Sequence, residues 1–107
     1  MTKITFYKKE DLIIGFEVAG HTGKDDYGKD LLCCQISTVA QLAIVGVCEV
    51  AKINCFKEIS DGYLKIKVEP NIARDDKIQF LFKTCLESFR SIIIDEKKYA
   101  KLEVKNV

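Results

Sequence analysis

The sequence predicts an α+β fold, a two-layer sandwich in which a mostly antiparallel sheet carries two helices on one face. Three observations lead there. Five strand-like and two helix-like runs follow one another in the order β-β-α-β-β-α-β. Four of the five strand runs alternate apolar with polar residues, the mark of a sheet with one covered and one wetter face. The two longer runs repeat apolar residues at helical spacing, and the wide stripes they form need burial against that sheet. No repeat, low-complexity tract or linker interrupts the chain, so residues 1–107 read as a single domain, long enough to bury one core without disulfides or metal.

Ile4-Thr5-Phe6-Tyr7 is a short run of β-branched and aromatic residues, and Lys8 to Asp11 is a polar turn. In Leu12 to Ala19, Ile14, Phe16 and Val18 alternate with Ile13, Gly15 and Glu17, so the two runs pair as a hairpin with Phe6 and Phe16 inward. Gly20 ends the second strand, and Thr22 to Lys29 should form an exposed, mobile loop. Asp30 has the position of an N-cap. The helix it opens should run to about Lys52, with Leu32, Ile36, Val39, Ala43, Val47 and Val50 as its stripe and Ala40, Ile44 and Cys48 widening it. So wide a stripe points to burial on more than one side, either against the sheet plus the second helix or across a subunit interface. Cys55 to Ile59 and Tyr63 to Glu69 are strands joined by a Ser60-Asp61-Gly62 turn, and Pro70-Asn71 stops the second. Asp75 or Asp76 caps the second helix, in which Ile78, Leu81, Phe82, Cys85, Leu86, Phe89 and Ile93 share a face. Lys97 and Lys98 near its end suit the dipole, and Tyr99 to Val104 is the last strand.

Net charge is +1, too small for a general field that would draw nucleic acid or an anionic membrane. The N-terminus enters a strand pattern at once, without the apolar run of a signal peptide. Leu31 to Cys48 is interrupted by Gln35, Ser37, Thr38 and Gln41 and reads as a buried helix, short of a membrane span. Five cysteines without an export signal suit a reducing cytoplasm.

Chemistry concentrates between Gly20 and Ser37. His21 is the only histidine, and twelve residues later Cys33 falls in the first turn of the predicted helix. A thiol there faces unpaired backbone N–H groups and the positive end of the dipole, which favour thiolate, and an imidazole nearby can act as its base. Asp30 opposes thiolate formation; it reads either as a cap on the Cys33 amide or as a group orienting His21 or a substrate amide. The competing readings are a loop histidine with no catalytic role and a small buried cysteine. Cys48, Cys55 and Cys85 fit the buried reading, while Cys34 sits about 100° further round the helix from Cys33. No Gly-x-Gly-x-x-Gly, Walker or Cys-x-x-Cys pattern is present, and adjacent Cys33 and Cys34 are awkward metal ligands. Neither a cofactor nor a metal is expected.

Gly20-His21, Gly23, Gly28-Lys29-Asp30-Leu31-Leu32-Cys33 and Ser37 together resemble the signature of the ribosomal-processing cysteine protease (Prp) family: Gly-His, a glycine-containing loop, Gly-x-Asp, two apolar residues, Cys, and Ser four residues on. The residue after the cysteine, a small one in the family, is Cys34 here. The resemblance implies a homodimeric cysteine endopeptidase that removes the N-terminal extension of a large-subunit ribosomal protein. It makes Cys33 the nucleophile and His21 the base, with Asp30 and Ser37 in supporting positions. Gly20, Gly23 and Gly28 would belong to a substrate-gating loop. The alternatives are a noncatalytic ribosome- or RNA-associated binding module, disfavoured by the near-neutral charge and the missing aromatic RNA-binding strand, and a redox-sensing thiol protein.

Overall fold

The structure, a computed structural model, describes residues 1–26 and 30–107. β1 (Thr2–Lys9) and β2 (Leu12–Ala19) form the expected hairpin. Phe6 lies opposite Phe16, but after Tyr7↔Gly15 the register slips to Lys8↔Ile13, which leaves Ile14 as an extra residue. That bulge is why Ile13 and Ile14 are both buried where strict alternation would put one of them outside. Ile14 is not idle, since its carbonyl accepts from Val68 N–H.

Asp30 is the N-cap of α1 (Leu31–Ile44), its side chain accepting from Cys33 N–H. The helix continues as a π-helical segment, Val45–Val50, with Ala51 as its C-cap, and so ends short of Lys52, which has a positive φ. A π turn takes more residues than an α turn, so the 3.6-residue stripe loses phase within it. Val47 stays fully buried, but Val50 is 77% exposed, against the expectation that it lies inward. By length and composition alone Leu31–Val50 is long and apolar enough to cross a bilayer, where the sequence reading had it short of a span, but core helices pass the same test. Here Leu32, Ile36, Ala40, Ala43, Ile44 and Val47 are packed into the core.

β3 (Phe56–Ser60) and β4 (Tyr63–Lys67) form the second hairpin, β4 pairing with β2 as well. Pro70, expected simply to end the strand, also starts a short helix, α2 (Pro70–Ala73), as its fixed φ allows at a first helical position. Asp75 caps α3 (Asp76–Ile93) by accepting from Lys77 N–H. The helix ends before Lys97 and Lys98, so neither serves its dipole; Arg90 is the basic residue of its last turn. β5 (Ala100–Asn106) runs parallel to β1, and the sheet order is β3-β4-β2-β1-β5.

The core lies between the sheet and the two long helices. Phe16 stacks on Phe6 with centroids 4.9 Å apart and meets Phe89 and Phe82 edge-on at 5.5 and 6.2 Å. Gln79, unmarked by the apolar pattern, is buried because its amide bonds the Ile13 N–H, the Ile13 carbonyl and the Ala73 carbonyl. These bonds seal the start of β2 against α2 and α3. β3, by contrast, is exposed along its whole length. That difference in cover leaves a recess between the outer hairpin and the N-terminal half of α1.

Candidate active site

The recess is a cavity of about 650 Å³. One wall is α1, through Cys33, Cys34, Ile36, Ser37 and Ala40; the other is the β3–β4 hairpin, through Ile59 to Leu64. Val18, Gly20, His21, Gly23, Asp25 and Asp30 close the end nearest the start of the helix. His21 and Cys33, twelve positions apart in the chain, therefore share one chamber. The floor is apolar (Val18, Ile36, Leu64) and the rim is polar.

Each side chain is placed by local structure. Gly20 must be glycine: its φ is +90°, and a Cβ there would lie 2.5 Å from the Met1 carbonyl oxygen. The Thr2 hydroxyl donates to its carbonyl, and its own N–H donates to the Gly62 carbonyl at 2.8 Å. The residue before His21 is thus anchored on both sides. The His21 ring is half exposed, with Nε2 3.8 Å from an Asp61 carboxylate oxygen.

Asp30 does more than cap. One oxygen accepts from Cys33 N–H at 2.9 Å; the other accepts from the Thr22 hydroxyl and, at 3.2 Å, from Lys24 N–H. These bonds, led by the Thr22 hydroxyl, hold the Asp30 carboxyl below its ordinary range against the opposing effect of burial. They also explain a departure from expectation. Thr22, placed by sequence in an exposed loop, is buried under this carboxylate, while Gly23 to Asp26 are exposed as anticipated. Further on, Lys24 pairs with Glu96 and lies over the Tyr99 ring, tying the segment after His21 to the chain beyond α3. Gly28, the remaining glycine of the expected gating loop, lies outside the described residues.

Cys33 is half-buried in the first turn of α1 and Cys34 is exposed. The Cys33 amide is taken by the Asp30 side chain and the Cys34 amide by the Asp30 carbonyl. Leu31 and Leu32 hold the remaining amides of the turn, which helical geometry leaves without intrahelical acceptors. Ser37, one turn beyond Cys33, accepts from the Gln41 side chain at 2.8 Å and keeps its hydroxyl proton for another acceptor. The other thiols lie away from the cavity lining. Cys85 is buried in the core and pushed up to about 11 by that burial. Cys48 and Cys55 touch, sulfur to sulfur, at 3.0 Å, and Cys55 is raised to about 11 by burial and then by that contact. In the sequence each of these two reads as a separate apolar-face residue, and Asp61 reads only as part of an Asp-Gly turn.

The fold has counterparts among solved structures. The chain is similar to SMU.848 from Streptococcus mutans at 22% identity and a TM-score of 0.82, covering 100% of this chain and 96% of that one. It is similar to the ribosomal processing protease Prp from S. aureus in complex with a covalently linked product peptide, at 19% identity and a TM-score of 0.85. A second S. aureus Prp structure, in complex with a substrate peptide, matches at 17% identity and a TM-score of 0.81; in each case 98% of this chain and 100% of the other are covered. No curated protein matches the sequence. The family model of the cysteine protease Prp matches residues 1–101, nearly the whole chain, and by that match this protein belongs to the Prp family of ribosomal-processing cysteine proteases.

Proposed function

We propose that this protease removes the N-terminal extension of a large-subunit ribosomal protein, with Cys33 as nucleophile and His21 as base. The observation that carries the reading is the shared cavity: the only histidine and a first-turn cysteine line one recess with an apolar floor. The covalently linked product peptide of the S. aureus relative is the kind of species a cysteine nucleophile forms.

In the first step the Cys33 proton passes to His21 and the sulfur attacks the scissile carbonyl carbon. Backbone N–H groups near the helix start receive the oxyanion, each such donor supplying ~3 kcal/mol in the transition state. The C–N bond breaks as His21 returns its proton to the leaving amine, leaving a thioester on Cys33. Water, deprotonated by His21, then releases the acid and restores the thiol. Asp30 holds the start of the helix to Thr22 and Lys24, and so keeps the nucleophile's turn against the segment that carries the base.

A homodimer in the cytoplasm belongs to the same reading. Leu31 and Leu42 on α1 and Val45 at the start of the π-helical segment are exposed apolar side chains that a second copy would cover, and the free thiols suit a reducing compartment. The test is cleavage of a peptide spanning the extension junction, read by mass spectrometry as a new N-terminus. Cys33→Ala and His21→Ala should abolish it and Cys34→Ala should leave most of it. Loss in the Cys34 variant alone would overturn the assignment. Light scattering gives the oligomeric state.

A further inference from the structure

We propose that Asp61, at the tip of the β3–β4 hairpin, is a positioning residue for the His21 imidazole, and that this turn is the seat on which the base rests. The proposal builds on the Cys33–His21 reading of the site.

Three contacts from one turn converge on His21 and the residue before it. The Asp61 carboxylate lies 3.8 Å from His21 Nε2. Gly62 passes directly beneath the ring: a Cβ there would lie 2.9 Å from Nε2, 3.3 Å from Cδ2 and 3.4 Å from Cε1, and its φ of +70° also asks for glycine. The Gly62 carbonyl accepts the Gly20 N–H at 2.8 Å, fixing the backbone just before the histidine to the same turn. Asp-Gly in a two-residue hairpin turn is ordinarily a matter of strand geometry alone. Here both residues also face the only imidazole in the chain.

The chemistry follows from which nitrogen is addressed. A carboxylate at Nε2 favours the proton there and leaves Nδ1 as the lone pair that can accept the thiol proton. Once that proton has moved, the same carboxylate faces an imidazolium. The other titratable groups lining the cavity are Asp25, Asp30, Cys33, Cys34 and Tyr63, and no lysine or arginine lines it among the described residues. Asp30 is engaged by Cys33, Thr22 and Lys24, and an Asp25 oxygen accepts from the Asp26 amide. Asp61 is the carboxylate placed within ion-pair distance of His21. At 80% side-chain exposure the pair counts for little in water, but a peptide laid over the cavity excludes solvent and strengthens it. The effect therefore belongs to the bound complex and to kcat.

Asp61→Asn tests this, because Asn-Gly makes the same turn and the charge alone is lost. With the junction peptide, kcat should fall roughly 3- to 10-fold with KM unchanged, the scale of one partly covered charge contact. Asp61→Glu should recover much of the loss. An unchanged kcat in Asp61→Asn overturns the proposal, and so does a rise in KM alone, which would make Asp61 a peptide contact. If His21→Ala itself keeps full activity, the dyad reading fails and takes this proposal with it. If His21→Ala is inactive while Asp61→Asn matches the parent, only the proposal falls.

Discussion

Replacing Asp30 with alanine removes a carboxylate that joins two segments at once. The bond to Cys33 N–H is an N-cap, ordinarily worth ~1 kcal/mol. The bond from the buried Thr22 hydroxyl has no ready substitute, and orphaning such a group costs about 1–3 kcal/mol. The Lys24 amide is exposed and water can replace its partner, so it adds little. The sum is roughly 2–4 kcal/mol, a large share of the ~5–15 kcal/mol that holds a domain folded. Urea denaturation should show a lower midpoint with an unchanged slope. Asp30→Asn, a comparable cap, should lose less and should separate cap from charge. Because the folded carboxyl is held below its ordinary value, its contribution is complete above about pH 4 to 5 and disappears as the pH falls through the lowered folded value. The gap between the parent and Asp30→Asn should therefore be widest near neutrality and close in acid. An Asp30→Ala midpoint equal to the parent's would refute this account of the junction. A gap that does not change with pH would refute the role given to the charge.

Other substitutions probe different parts of the molecule. Phe16→Ala empties the centre of the four-phenylalanine cluster and should cost about 3–5 kcal/mol, read as a fall in melting temperature; a loss under 1 kcal/mol would mean the core closes over the gap. Tyr63, whose hydroxyl donates to Glu17, is raised to about 12, chiefly by that hydrogen bond. Stability from this pair should be complete below the ordinary tyrosine range and fade as the pH climbs toward 12, and Glu17→Gln should return its ultraviolet titration toward ~10. Thiol alkylation followed by peptide mapping should find Cys55 and Cys85 slowest at neutral pH and accelerating as the pH approaches 11; fast labelling of either would contradict the burial described.

What the sequence made legible was whatever depends on local pattern. Phe6 opposite Phe16, the inward row of Leu64, Ile66 and Val68, and the face of α3 are consequences of period, and they read directly from the chain. So does the Asp30 cap on Cys33, since Asp immediately before an apolar helical run has few other uses. Long-range geometry was less visible. Nothing in residues 100–106 announces that they lie parallel to β1 at the far edge of the sheet, because an alternating strand can pair in either sense. The π-helical turn, which contains Gly46, and the exposure of Val50 within it, are not marked by the apolar period. Thr22 is buried by a carboxylate eight positions away, and Asp61 meets His21 across forty residues, distances that no periodic pattern encodes. The Asp61-Gly62 dipeptide did carry a signal, though it was one for a turn.

The central claim is that the sulfur of Cys33 makes the covalent bond to substrate, and trapping that bond tests it most directly. Treat the protein with a chloromethyl ketone built on the non-primed side of the junction peptide, digest it, and map the adduct by tandem mass spectrometry. The account predicts one equivalent on Cys33, loss of activity in step with labelling, and no adduct in Cys33→Ala. An adduct on Cys34 that tracks inactivation, or peptide cleavage surviving in Cys33→Ala, would contradict it.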